Sequence, residues 1–225
     1  IGYVAIGGGT FTPLVTSAVP VTNPALDSQY LYFGNQDPPL TISAVPLDGG
    51  SGQSLVSLSG NGLVRLFRGG ASVYATPWTG NFQGSIVRFS ASNPDAGVET
   101  LFEADASQSV GNTIAFDEAG TTAIAGIGAD LVALGLDGGP SSVVAIAPDY
   151  ISCVAMDDKY VYWVRGQNSG AYDLNRTKLG TTTTETLVSG SPGTIQGLFL
   201  DDIYYYWAFT ASGNLPGSGI YRAVK

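Results

Sequence analysis

The sequence predicts an all-β chain of repeated four-stranded units. Three observations carry that expectation: landmarks that recur about every 44 residues, four strand-like segments within each period, and no window of sustained helical periodicity. The clearest landmark is an aromatic strand following a turn. It reads Asp27-Ser-Gln-Tyr-Leu-Tyr32-Phe33, Gly69-Gly-Ala-Ser-Val-Tyr74, Asp157-Asp-Lys-Tyr-Val-Tyr162-Trp163 and Asp201-Asp-Ile-Tyr-Tyr-Tyr206-Trp207. Tyr32, Tyr74, Tyr162 and Tyr206 lie 42, 88 and 44 residues apart, so the middle gap holds a masked unit. That unit sits at Phe116-Asp117-Glu118, where Ala123-Ile124-Ala125 replaces the aromatic strand. Leu47-Asp48-Gly49-Gly50 returns as Leu136-Asp137-Gly138-Gly139, 89 residues on, and Ser54-Leu55-Val56-Ser57 returns as Thr186-Leu187-Val188-Ser189, 132 residues on.

Each unit reads as four strands in order. The first is apolar on both faces, as in Ile151 to Met156 and Ile195 to Leu200, which suits burial against neighbours on either side. An Asp turn follows, whose carboxylate caps local N–H groups. Next is the aromatic strand, Val161 to Val164, rich in residues that favour a pleated surface. The third strand is Ile42 to Leu47, Ile86 to Phe89, Leu131 to Leu136, Leu174 to Leu179 and Ile220 to Val224, and a Gly-rich turn leads to a fourth, such as Glu185 to Ser189. Such a unit is the size of one propeller blade, and 225 residues hold about five. The expectation is therefore a single β-propeller domain over 1–225, with six blades, incomplete, as the alternative. Phe11 to Thr16 resembles a fourth strand able to close the last blade, which leaves Gly2 to Ile6 as a surplus third strand. Leu26, Val154, Met156, Leu198 and Leu200 are expected in the core.

Composition narrows the function. With 18 acidic against 9 basic residues, the net charge of −9 argues against nucleic acid or an anionic membrane as partner. Charged residues make up only 12 %, so the polar surface falls to Ser, Thr, Asn, Gln and Gly, as in exported β proteins. The chain begins at Ile1, in keeping with removal of a signal peptide or excision from a longer chain, and a secreted, periplasmic or cell-surface location is expected. No run of apolar residues is long enough to insert into a membrane. Cys153 stands in an apolar run and reads as a buried inert thiol.

There is no histidine, so Ser–His–Asp and Cys–His arrangements are excluded, and no Gly-x-Ser-x-Gly elbow occurs. Transition metals lean on His or several Cys, so no metal or cofactor is expected. Gly2 to Thr10 is glycine-rich but lacks the lysine of a phosphate loop. The pairs Asp117-Glu118, Asp157-Asp158 and Asp201-Asp202 recur at one turn of the repeat. Repetition in register marks them as hairpin caps, and the expectation is that the chain is not an enzyme. Convergence of Asp117, Asp157 and Asp201 on one solvent-filled pocket would overturn it.

The stretch from Met156-Asp157 through Val188, with Tyr162-Trp163 and Leu174-Asn-Arg176-Thr-Lys-Leu179-Gly180, resembles the YWTD repeat of lipoprotein-receptor propellers and related exported bacterial repeats. Weaker copies cover nearly the whole chain. The motif's Thr-Asp is Val164-Arg165 here and Ala208-Phe209 in the last unit, so the family's inter-blade Asp bonding does not carry over. The resemblance implies a binding or scaffolding role without catalysis.

In a propeller the connections between second and third strands share one end. Here they are 34–39, 77–83, 165–172 and 210–216, all long and polar, against a short turn at Gly126 to Asp130. Rigid scaffolds place binding on such loops. The expected ligand-binding residues are Trp78, Asn81, Asn35, Arg165, Asn168 and Asn214, with Trp78 a loop aromatic and Trp163 and Trp207 in the inter-blade core. The partner is a protein or a glycan. The readings are a protein-interaction or adhesion module, a lectin, or a propeller-type glycoside hydrolase. On the first two, Trp78→Ala weakens partner binding about thirtyfold, as for a central aromatic anchor, and leaves the fold intact; titration of the variant against its partner checks this.

Overall fold

The computed structural model describes residues 2–3, 10, 12–14, 24–35, 39–60, 62–80, 83–105, 110–117, 120–137, 139–147, 149–166, 171–211 and 217–225. The chain divides into two compact units, Ile1–Glu103 and Ala104–Lys225. In the first, β1 (Gly2–Tyr3) pairs antiparallel with β2 (Thr12–Pro13). Two four-stranded antiparallel sheets follow in chain order: β3 (Ala25–Leu26), β4 (Tyr30–Gly34), β5 (Leu40–Pro46) and β6 (Gln53–Leu58), then β7 (Gly62–Gly69), β8 (Ser72–Gly80), β9 (Gln83–Ser90) and β10 (Glu99–Glu103). The described part of the expected closing strand, Thr12–Pro13, is thus the partner of Gly2–Tyr3.

The second unit opens with a third such sheet, β11 (Val110–Phe116), β12 (Ala123–Ile127), β13 (Asp130–Leu134) and β14 (Ser142–Ile146). It continues with β15 (Ile151–Met156), β16 (Tyr160–Gly166), β17 (Ala171–Lys178), β18 (Thr184–Leu200), β19 (Tyr204–Ala211) and β20 (Gly219–Val224). Strand β18 serves two repeats without a loop. Residues 184–192 pair with β17 as the predicted outer strand, and from Gly193 onward it pairs with β19 as the predicted first strand of the next unit. Gly193 stands at the crossing with φ +149°, where a Cβ would lie 2.4 Å from the Thr210 carbonyl oxygen, so only glycine fits. Among the described residues no helix is long and apolar enough to cross a membrane.

Within each unit successive sheets pack face to face, and strand alternation explains the Tyr-Trp signature. Along β16, Val161 and Trp163 join a core with Ile124, Leu131 and Val154, whereas Tyr162 and Val164 join one with Leu174, Ile195, Leu198 and Tyr205. Trp163 is buried and its Nε1 donates to Thr177 Oγ1 at 2.9 Å. Trp207 is half-buried, stacked between Tyr205 and Tyr221. Cys153 is buried, its thiol directed at the Ile195 carbonyl. In the masked repeat the strand lies close on β15 at Gly126, where a Cβ would meet Ile151 Cγ2 at 2.7 Å.

Val154 and Leu198 are buried as expected, but Met156 and Leu200 are half-buried and Leu26 is 60 % exposed. Each of these last three precedes the turn Asp of its repeat, where the strand reaches the end of the sheet. Trp78 is not in a loop. Strand β8 runs on to Gly80, and Trp78 pairs with Gly62 on one side and Gly84 on the other. Pro77 reads as a strand breaker in the sequence, yet here it lies opposite Leu63 beside a β-bulge in β7. Thr76 Oγ1 accepts the Arg65 N–H at 3.1 Å, so a side chain serves the backbone the bulge leaves unpaired.

The turn after each first strand is held by its Asp. Oδ1 of Asp27, Asp157 and Asp201 accepts the N–H groups two and three residues on, at 2.7–2.9 Å. At Asp117 the N–H groups of Thr121 and Thr122 take this place. Burial alone would raise the Asp27 pKa, but the N–H groups of Gln29 and Tyr30, the Tyr32 hydroxyl and Arg68 outweigh it and hold the carboxyl at about 2. A folded-state pKa below the unfolded one means stability present above the unfolded value and lost as pH falls through the folded one. Asp27→Asn is therefore expected to lower stability at pH 7 by about 2 kcal/mol, with the difference closing between about pH 4 and pH 2; denaturant unfolding across that range checks it.

Candidate functional site

In the second unit the first strands β11, β15 and the latter half of β18 end at their Asp turns around one cavity of about 870 Å³. Asp117, Asp157, Asp158, Asp201 and Asp202 line it, with Met156 and Leu200 as apolar wall and Lys225 as cation. The three carboxylates read from the sequence as separate caps do converge.

Their electrostatics favour the ionised form. Burial would raise the Asp117 pKa, but the Thr121 hydroxyl and the N–H groups of Thr121 and Thr122 lower it below the usual carboxylate range. Burial would likewise raise Asp157, and the N–H groups of Lys159 and Tyr160 with the Lys225 ammonium bring it down. Asp201 is lowered first by the Tyr206 hydroxyl, then by the N–H groups of Tyr204 and Ile203. Carboxylates so held attract positive charge and are poor proton donors at neutral pH.

The second carboxylate oxygen distinguishes the repeats. Asp27 Oδ2 accepts from Tyr32 at 2.8 Å and from Arg68 at 3.1 Å, and Asp201 Oδ2 accepts from Tyr206 at 2.5 Å. At the same spacing, Tyr162 should reach Asp157. Instead Lys225 Nζ stands 3.0 Å from Asp157 Oδ2, and the Tyr162 hydroxyl is buried without a hydrogen-bond partner. Burial and the Asp157 charge raise the Tyr162 pKa, against an opposing pull from Arg176.

That arginine belongs to a cross-strand ladder that sequence reasoning missed. Tyr162, Arg176 and Glu185 are neighbours across β16, β17 and β18, as are Tyr74, Arg88 and Glu99 across β8, β9 and β10. Arg176 Nε donates to Glu185 at 2.9 Å and Arg88 Nε to Glu99 at 2.7 Å. The signal was present as an apolar residue two before an arginine in the third strand: Ile86-x-Arg88, Leu174-x-Arg176 and Ile220-x-Arg222.

Of the loop-end residues named from the sequence, Asn35 and Arg165 bond within the chain. Asn35 closes its own loop, its Nδ2 donating to the Pro39 carbonyl at 2.9 Å and its Oδ1 accepting the Thr41 N–H at 2.6 Å. Arg165 is paired with buried Asp173, whose Oδ1 accepts the Gly190 N–H. Trp78 is in β8, and Asn81, Asn168 and Asn214 lie outside the described residues.

No protein-family model and no curated protein sequence matches the chain. Solved structures show the propeller fold. A nidogen/laminin complex matches at TM-score 0.63 and 14 % identity over 82 % of this chain and 70 % of that one. A protein described as TolB from Agrobacterium tumefaciens matches at TM-score 0.69 and 8 % identity over 92 % and 76 %. A puromycin-hydrolyzing peptidase of Mycobacterium tuberculosis matches at TM-score 0.67 and 13 % identity over 92 % of this chain, which spans 37 % of the peptidase. An oligogalacturonate lyase in complex with manganese matches at TM-score 0.63 and 13 % identity over 87 %, and the chain spans 59 % of it. The expectation that the chain is not an enzyme therefore does not stand: the fold is shared with enzymes, and the Asp residues meant to be separate caps share one cavity.

Tyr32→Phe, which loses a bond to a carboxylate, is expected to destabilise by about 2 kcal/mol, whereas Tyr162→Phe removes an unpaired buried hydroxyl and costs nothing or stabilises by about 1 kcal/mol. Urea unfolding at pH 7 separates them, and equal losses would show that Tyr162 is bonded after all.

Proposed function

We propose that the chain is a propeller-fold recognition domain that works outside the cytoplasm and holds a protein partner at the acidic end of its second unit. The observation that carries this reading is the cavity with five Asp side chains and one Lys at its wall, rimmed by half-buried Met156 and Leu200. Ionised carboxylates beside an apolar wall suit a segment carrying both positive charge and hydrophobic side chains. The low share of charged residues supports an exported chain, and a single propeller of about five blades over 1–225 belongs to the same reading.

The loop end is the second surface, read from the four long connections. With Asn35 and Arg165 engaged internally, its contacts fall to Trp78, Asn81, Asn168 and Asn214. There a protein or a glycan is the partner.

Selection of phage-displayed peptides on the immobilised chain tests the proposal. Peptides that bind in the micromolar range, lose at least tenfold with Asp158→Asn/Asp202→Asn and are unaffected by Trp78→Ala are expected. Loss with Trp78→Ala alone moves the site to the loop end; glycan-array binding without peptide binding overturns the protein reading. Mass spectrometry of the incubated peptides reads any cleavage.

A further inference from the structure

A smaller cavity of about 360 Å³ opens beside Tyr162 and shares Asp157, Asp158, Asp202 and Lys225 with the larger one. Its wall also carries Lys159, Tyr160 and Arg176. Arg176 is engaged with Glu185 and lies over the Tyr160 ring at 4.6 Å, so its charge is already balanced. The anomaly is Tyr162. It is fully buried, it lines the cavity, and its hydroxyl has no partner. A buried hydroxyl left unpaired is a penalty that native structures remove where they can. The fold contains the remedy twice, at Asp27–Tyr32 and Asp201–Tyr206. At the third position the Asp157 oxygen is met by Lys225 Nζ instead, and the Tyr162 hydroxyl does not bond to it.

Resting on the protein-recognition reading above, we propose that this cavity seats a lysine or arginine side chain of the partner, and that Lys225 occupies its place in the free protein. The incoming ammonium or guanidinium takes the Lys225 position on Asp157, in the field of Asp158 and Asp202 at the cavity wall, and donates to the Tyr162 oxygen, which accepts no hydrogen bond in the free protein. Lys225 gives way into the larger cavity, where Asp117 and Asp201 receive its charge. A metal ion is the weaker occupant, since among the described residues no group of three carboxylates is placed to hold one. A phenol oxygen and a resident lysine both point to an N–H cation.

The test uses the full chain with 13C-labelled tyrosine rings, titrated with acetyl-Gly-Lys-Gly-amide, acetyl-Gly-Arg-Gly-amide and the neutral acetyl-Gly-norleucine-Gly-amide. Saturable shifts of the Tyr162 resonance with the two basic peptides and none with norleucine are expected. Tyr162→Phe should weaken the basic peptides about tenfold, read on neighbouring Tyr160, without loss of thermal stability. Lys225→Met should tighten them several-fold by removing the resident competitor. Equal binding of norleucine, an unchanged affinity in Tyr162→Phe, or no gain in Lys225→Met overturns the proposal. If displayed peptides bind but are indifferent to Tyr162→Phe, and the basic tripeptides do not saturate, the recognition reading stands and this inference falls. If the tripeptides saturate and no displayed peptide is selected, the pocket chemistry stands and the recognition reading falls.

Discussion

Each inner strand of this protein has to bury both of its faces, because sheet packs on sheet within each unit. Tyr162 and Val164 look one way along β16 and Val161 and Trp163 the other, and all four are buried. From that requirement follow the apolar runs, the adjacent aromatics and the low share of charged residues. Polar side chains inside the stack bond in pairs where they can, as Trp163 does with Thr177, or Asn175 with Thr186 at 2.8 Å, with Tyr162 an exception. The ends of the strands are where charge can gather, and there the candidate site lies.

The Asp turns join the two roles. One carboxylate oxygen folds the hairpin by capping two N–H groups, and this use is the same at Asp27, Asp157 and Asp201. The other oxygen varies in its partner: a tyrosine, a tyrosine with an arginine, or a lysine. Structural repetition and functional convergence are therefore compatible. When repeats stack with equivalent strands side by side, a residue that caps the same turn in each is carried to the same end in each, and the caps become the lining of a common cavity.

The same geometry explains why the cavity is so negative. Hydrogen bonds that stabilise the hairpins also stabilise the ionised carboxylates, so Asp117, Asp157 and Asp201 stay charged although burial opposes it. A folding device thus maintains a field that attracts cations. Lys225 answers part of that field from within the chain.

Much of the fold was legible in the residues: the period, the order of four strands, the Asp caps, and the burial of Val154, Leu198, Cys153 and Trp163 all rest on local pattern and alternation. Less of the site was. Pro77 suggested a loop at Trp78, but a bulge opposite Leu63 lets the strand continue, and a bulge is a property of two strands in register rather than of one. Asn35 and Arg165 looked available for a ligand, and their partners Thr41 and Asp173 are neighbours only after the strands pair. The repeated Asp residues were read as separate because a sequence shows their interval and not their common end. By itself, then, the sequence determined which segments become strands and which turns an Asp must cap, since those depend on neighbours a few residues away. Which charges share a cavity, and which carboxylate a lysine meets, was decided only by tertiary structure, because those depend on strands forty or more residues apart ending at the same level.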